Sequence, residues 1–176
     1  NRRAHSIKSA SLWIASEPDI AELPLGLFGA STGAGAALLA AAELQDRISA
    51  VVSRGGRPDL AGPRLAEVRA PTLLIVGGDD DQVIELNRKA IAQLACEKLI
   101  KIVPGAGHLF EEQGALEQVT EFAAAWFQHY LTPKVRIPAP PAKSAPSPAR
   151  AIDVLRAAAE PLPELDDPEF AVAFDR

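Results

Sequence analysis

Four short, mostly apolar runs limit how this chain can fold: residues 23–30 (LPLGLFGA), 48–56 (ISAVVSRGG), 71–78 (PTLLIVGG) and 98–105 (KLIKIVPG). Each has strand length, and each ends in glycine or a small residue. Between and around them lie segments with helical spacing of apolar residues, at 33–44, 83–94 and 115–131, and a further helix is expected over 5–16. In that first helix Ile7, Leu12, Trp13 and Ala15 fall on one side, and Pro18 acts as the stop. Connections of this length are too long for hairpins. The strands must therefore run parallel, with helices covering both faces of the sheet, which places the chain in the α/β class with about four parallel strands. The run at 23–30 reads as a fully buried strand.

The junction between the first run and its helix is unusual. In LFGASTGAGAALLAAA, residues 27–42, a serine stands between crowded glycines where a strand must turn into a helix. Gly29-Ala30-Ser31-Thr32-Gly33 has the pattern and context of a nucleophile elbow, in which a strained turn lifts a serine hydroxyl off the end of the sheet. Gly29 and Gly33 are expected to leave room where side chains would strike the strand and helix. The backbone N–H of Thr32, at the helix start, faces any negative charge that develops beside Ser31. The plainer reading is a glycine-rich turn whose serine merely caps the helix.

A serine hydroxyl needs a base to remove its proton, and the base needs an acid to fix its tautomer. In hydrolases built on a nucleophile elbow the chain order is serine, acid, histidine, with the last two on loops at strand ends. Here LLIVGGDDDQV places Asp79, Asp80 and Asp81 directly after the third run, and IVPGAGHLF places His108 after the fourth. Spacing from Gly77 and Val83 favours Asp80 as the acid, although a polar run at this position also serves as an ordinary helix cap. His5 lies at a helix start and His129 near a helix end, where a dipole contact suffices to explain it. Arg54 and Arg57, in SRGGRPDLAGP, are candidates for lining a substrate pocket. Cys96, at the end of a helix pattern and remote in sequence from any strand end, reads as a small apolar side chain.

One cysteine and three scattered histidines cannot supply a usual zinc pattern, and no glycine-rich phosphate loop with its lysine is present. No metal or cofactor is expected. A net charge of −5 offers no basic field for nucleic acid, and no stretch of about 18 apolar residues is available to span a bilayer. The first residues, NRRAHSIKSASLW, lack the apolar centre of a secretion signal, and the single thiol fits a reducing, cytoplasmic setting. The 176 residues suffice for one substantial core and a small extra piece. That core is expected to end at Leu131, because the proline-rich stretch 132–150 favours an extended linker. Residues 151–176 are too few for a core of their own and read as the opening of another domain or a disordered tail. The chain contains no methionine and starts at Asn1, so it is expected to be a piece of a longer protein.

From about residue 5 to residue 131 the chain resembles the C-terminal part of the α/β-hydrolase fold, and within it the dienelactone hydrolase-related group. The likeness rests on GLFGASTGAGAAL, AVVSRGGRPDLAG, RAPTLLIVGGDDDQVIELNR and VPGAGHLFEEQGALEQV. It implies Ser31 as nucleophile, Asp80 as acid, His108 as base and the Thr32 backbone as one oxyanion donor, acting without a cofactor on a small ester or lactone. Dienelactone hydrolases carry a cysteine at the elbow, where this chain has serine. The group often follows a phosphoribosyltransferase domain, and PLPELDDPEFAVAFDR is similar to the entry of an erythromycin esterase-like domain. Covalent neighbour domains are therefore expected. The fold also implies strands preceding the elbow strand, one of which is followed by the loop that gives the second oxyanion donor. Without them the elbow strand would have a free edge and turnover would be slow. The short connection between the second and third runs leaves no room for a helical lid. A non-catalytic scaffold or docking module is the alternative reading of the same fold.

Overall fold

A computed structural model of the chain describes residues 2–132. Its elements are α1 (Arg2–Ser16), β1 (Leu25–Ala30), α2 (Thr32–Leu44), β2 (Ile48–Arg54), β3 (Thr72–Gly77), α3 (Asp81–Gln93), β4 (Lys98–Val103) and α4 (Ala115–Leu131). Short 3-10 segments occupy Gln45–Arg47 and Pro58–Glu67. The four strands form one parallel sheet in the order β1-β2-β3-β4. Apart from Thr132, the expected linker and the segment 151–176 lie outside the described residues. Among the described residues no helix is long and apolar enough to cross a membrane.

Strand residues alternate between faces, and the two faces of this sheet are packed differently. On one side Val51 meets Leu38, Ala41, Leu65 and Leu94, beneath α2, α3 and the 3-10 segment. On the other, Val52, Leu73, Ile75 and Val103 meet Phe110, Val119 and Ala123 of α4 and the loop before it. Burial of each large apolar side chain contributes about 1.5–3 kcal/mol. β3 is buried along its whole length, as a central strand covered on both faces must be. α2 consists largely of alanine, leucine and glycine, and its small side chains let the helix lie close to its neighbours. A Cβ on Gly35 would stand 2.6 Å from the Arg57 carbonyl oxygen.

Three expectations need correction. β1 is not fully buried: it is an edge strand, paired only with β2 among the described residues, and Phe28 is 52% exposed. In α1 the buried positions are Ala4 and Ser11, with Ile7 packed on the core between them, whereas Leu12 and Trp13 face outward. α1 packs on α2, and the face it turns inward is the one carrying Ala4, Ile7 and Ser11. The helix starts also move, to Arg2 for α1, Thr32 for α2 and Asp81 for α3. In the last two cases a polar residue just before the apolar pattern takes the N-cap position.

Candidate active site

Ser31, Asp80 and His108 all stand beyond the C-terminal ends of parallel strands, after β1, β3 and β4 respectively. Open α/β sheets present their sites along this edge.

Ser31 occupies the N-cap position of α2 with φ 50° and ψ −124°, in the positive-φ region that non-glycine residues avoid. Its side chain makes no cap hydrogen bond. The plain capping reading of this serine is thereby removed. The backbone is held from both sides, since the Ser31 N–H donates to the Arg54 carbonyl (3.1 Å) and its own carbonyl accepts from the N–H of Arg57 (3.0 Å). Gly29 is required at this corner, for a Cβ there would lie 2.6 Å from Cα of Ala34. Gly33, by contrast, faces open space, so the expected crowding at this position is absent. Gly35 and Gly56 are the close-approach glycines that the sequence reading did not assign. A Cβ on Gly56 would fall 2.7 Å from Cβ of Ala34, and on Ser53 Oγ as well. Thr32 opens α2, so its N–H has no acceptor within the helix, and the Thr32 hydroxyl accepts a hydrogen bond from Arg3 on α1.

Asp80 uses its two carboxylate oxygens differently. Oδ1 accepts from the N–H of Val83 (3.3 Å) and caps α3, while Oδ2 lies 2.7 Å from Nδ1 of His108. The cap on α3 and the contact with His108 thus coexist on one carboxylate. Asp79 and Asp81 are exposed, and neither side chain has a described polar partner. A carboxylate oxygen accepts, so Nδ1 of His108 is the donor in this contact and Nε2 is the ring nitrogen directed away from Asp80.

His108 reaches Asp80 because its loop folds tightly over the end of β3. The Asp79 N–H donates to the Ala106 carbonyl (3.0 Å) and the Gly78 N–H to the Val103 carbonyl (2.8 Å). A Cβ on Gly77 would collide with the Ala106 and Gly107 carbonyls, so that residue must be glycine. Phe110, at φ 58° and fully buried, anchors the far side of the loop, and Glu112 Oε1 accepts from the Gly107 N–H (3.0 Å). On the other flank His108 faces the loop after β2. A Cβ on Gly55 would lie 3.2 Å from the His108 carbonyl oxygen and 3.7 Å from its Cε1. The structure therefore brings Asp80 and His108 into direct contact and sets the Ser31 corner against the same 54–57 segment. Among the described residues the Ser31 hydroxyl itself makes no hydrogen bond.

The remaining candidates fall elsewhere. Arg57 is held by a two-point bond to Asp59 (2.8 and 2.7 Å), which keeps the Asp59 carboxyl below its ordinary range. The Arg54 guanidinium lies 5.3 Å over the Phe110 ring. His129 lies in the last turn of α4, as expected for a residue facing the helix dipole, and its ring stands edge-on to Tyr130. Cys96 sits in the turn between α3 and β4, 3.8 Å from the Thr72 hydroxyl and hence near strand starts. Burial pushes its thiol pKa up, consistent with a packing role.

A serine on a positive-φ corner between a parallel strand and a helix, with an aspartate–histidine pair beyond the next strands, defines part of an α/β-hydrolase fold. The comparisons agree on the architecture. No family model matches the chain. A dienelactone hydrolase structure from Anabaena variabilis superposes with a TM-score of 0.72 at 54% identity, covering 73% of this chain and 60% of that one. A dienelactone hydrolase-like promiscuous phosphotriesterase from metagenomic libraries superposes at 0.61 with 15% identity, covering 74% and 62%, a likeness of fold alone. A Mycobacterium tuberculosis protein provisionally named a phosphoribosyl transferase is 60% identical over 119 residues. That match takes in 68% of this chain but only 27% of the relative, so the chain spans about a quarter of the relative's length.

Proposed function

We propose that the chain carries the nucleophile, acid and base of a serine hydrolase acting on small esters or lactones. The observation that carries this reading is the 2.7 Å contact between His108 Nδ1 and Asp80 Oδ2, at the same end of the sheet as a serine whose backbone is strained and whose hydroxyl is not used as a cap. In this mechanism Ser31 Oγ attacks the carbonyl carbon while His108 Nε2 takes its proton. The tetrahedral oxyanion is met by the Thr32 N–H and the start of α2. Collapse breaks the bond to the leaving oxygen, to which His108 gives the proton, and leaves an acyl group on Ser31. Water, deprotonated by His108, then releases the acid and restores the hydroxyl. Asp80 holds the histidine tautomer and offsets the charge of the imidazolium.

Two observations support a small ester or lactone as the substrate class. The β2–β3 connection folds as a 3-10 segment against α2, with Leu60 beside Gly35, and contains no α-helix among the described residues. A short connection without a helical lid suits a compact acyl substrate, and the 54% identical structure is named a dienelactone hydrolase. We further propose that this unit is one module of a longer cytoplasmic protein, a reading supported by the small share of the mycobacterial relative that it covers.

The test is intact-mass detection of a fluorophosphonate adduct on the chain and on Ser31→Ala. A single adduct that disappears in the variant is the expected result. A folded chain that takes up no adduct, or an adduct that survives Ser31→Ala, would overturn the hydrolase reading in favour of a non-catalytic module.

A further inference from the structure

Asn87, two turns into α3, is fully buried, and its role is not explained by packing. Its Nδ2 donates to two carbonyls, Val83 in its own helix (2.8 Å) and Gly56 in the loop after β2 (3.0 Å). Its Oδ1 is buried without a partner among the described residues. Burying an amide with one end unsatisfied is unfavourable, and an apolar side chain of similar volume would avoid that penalty. The bond to Gly56 is what such a replacement would lose.

That bond has a particular place in the site. The 54–57 segment holds Ser31 at both ends of its backbone, through the Arg54 carbonyl and the Arg57 N–H. Its start is fixed to the sheet by the Gly55 N–H donating to Ile75 (2.8 Å), and Gly55 also packs against His108. Gly56, which follows, is a tight fit against Ala34 and carries the carbonyl that Asn87 grips. At the start of the same helix, Asp80 caps α3 and touches His108. α3 is thus attached to the acid at its N-terminus and to the serine clamp seven residues later. We propose that Asn87 is a positioning residue, the tether that keeps the Ser31 corner in register with the helix that carries Asp80. It touches no substrate. The inference rests on the hydrolase reading for its catalytic consequence, while the tether itself does not depend on it.

Asn87→Ser separates this role from simple packing. A serine on a helix can still bond the carbonyl four residues back, as Ser11 does to Ile7 at 2.9 Å, but it is too short to reach Gly56. Asn87→Leu is the second variant, filling the space without either bond. Val119→Ala on α4, at the opposite face of the sheet, is the control for general loss of stability. Two quantities are read on the whole chain, amide exchange at Arg57 and the rate of fluorophosphonate labelling at Ser31. For both Asn87 variants the expected result is at least tenfold faster exchange at Arg57 and at least tenfold slower labelling. The pH midpoint of labelling should not move, because the Asp80–His108 contact is intact. Val119→Ala should leave both rates within about twofold at matched stability. Unchanged exchange at Arg57 in a folded Asn87→Ser or Asn87→Leu chain overturns the tether, as does an equal response to Val119→Ala. Faster exchange at Arg57 in the Asn87 variants of a chain that never labels even when unsubstituted supports the tether and counts against the hydrolase reading alone.

Discussion

The sheet has two strand-to-helix corners that look alike in sequence and differ in structure. GAST leads from β1 into α2, and GGDD leads from β3 into α3. In the second, Asp80 adopts φ −105° and caps its helix through Val83, as an N-cap residue ordinarily does. In the first, Ser31 is held at φ 50° and leaves the cap unmade. A backbone in such a region costs about 1–3 kcal/mol and persists only where its surroundings enforce it. The ordinary corner therefore stabilises its helix through a cap, whereas the strained corner leaves its serine hydroxyl without one. That difference predicts opposite responses to substitution at the two positions.

The largest effect should come from Asp80. Asn is as good an N-cap as Asp, so Asp80→Asn should keep α3 capped while disturbing the tautomer of His108. Labelling at Ser31 should fall by about 10⁴-fold with thermal stability nearly unchanged. Asp80→Ala should add a loss of about 1 kcal/mol as the cap disappears. Denaturant titration beside labelling rates checks both numbers. Labelling within tenfold of the original in Asp80→Asn would mean that the acid lies elsewhere, with Asp79 or Asp81 the next to replace.

Gly29→Ala should follow, on stability rather than chemistry. The new Cβ would meet backbone of Ala34 at 2.6 Å, and neither strand nor helix can retreat without disturbing the clamp on Ser31. A loss of about 3 kcal/mol is expected in chemical denaturation. A loss under about 1 kcal/mol would show that the corner is plastic, and the comparison between a strained and a relaxed turn would lose its basis.

Much of this was legible in the sequence because it depends on local pattern. The parallel arrangement followed from apolar runs separated by helical spacing, and the order of Ser31, Asp80 and His108 followed from their places after those runs. What was not legible depends on which surfaces meet. The apolar run containing Phe28 looks like an interior strand, yet its outer edge has no described partner. β4, at the other edge, carries Lys98 and Lys101, charges of the kind that discourage further pairing. Asn87 and Gly56 gave no signal either, because a single amide bond across 31 residues leaves no periodicity to read. Nor does sequence separate Gly29 from Gly33, since both flank the same serine and only the position of Ala34 tells them apart.

The strain at Ser31 can be measured directly. Ser31→Gly removes the side chain that makes φ 50° unfavourable while also removing the hydroxyl. It should raise stability by about 1 kcal/mol, less than the full strain because glycine gains freedom in the unfolded chain. Ser31→Ala keeps a Cβ and should leave stability within about 0.5 kcal/mol, since no cap is lost. A drop in stability in Ser31→Gly would mean that the hydroxyl makes a contact worth more than the strain.

Gly33→Ala is the smallest effect and the most direct test of how the two elbow glycines differ. Gly33 lies in the first turn of α2, has an ordinary helical backbone and faces nothing within 4 Å. Alanine is favoured over glycine inside a helix by about 0.5–1 kcal/mol, and here no neighbour opposes it. The variant should therefore gain up to that amount in denaturant titration. Because the added methyl stands beside the start of the helix that faces the proposed oxyanion, its labelling rate also reports on the substrate side of the corner. A stabilised variant that labels at the original rate would assign Gly33 to neither space nor chemistry. Slower labelling at higher stability would place the acyl group against α2, where a bare backbone, not a collision in the folded chain, requires the glycine.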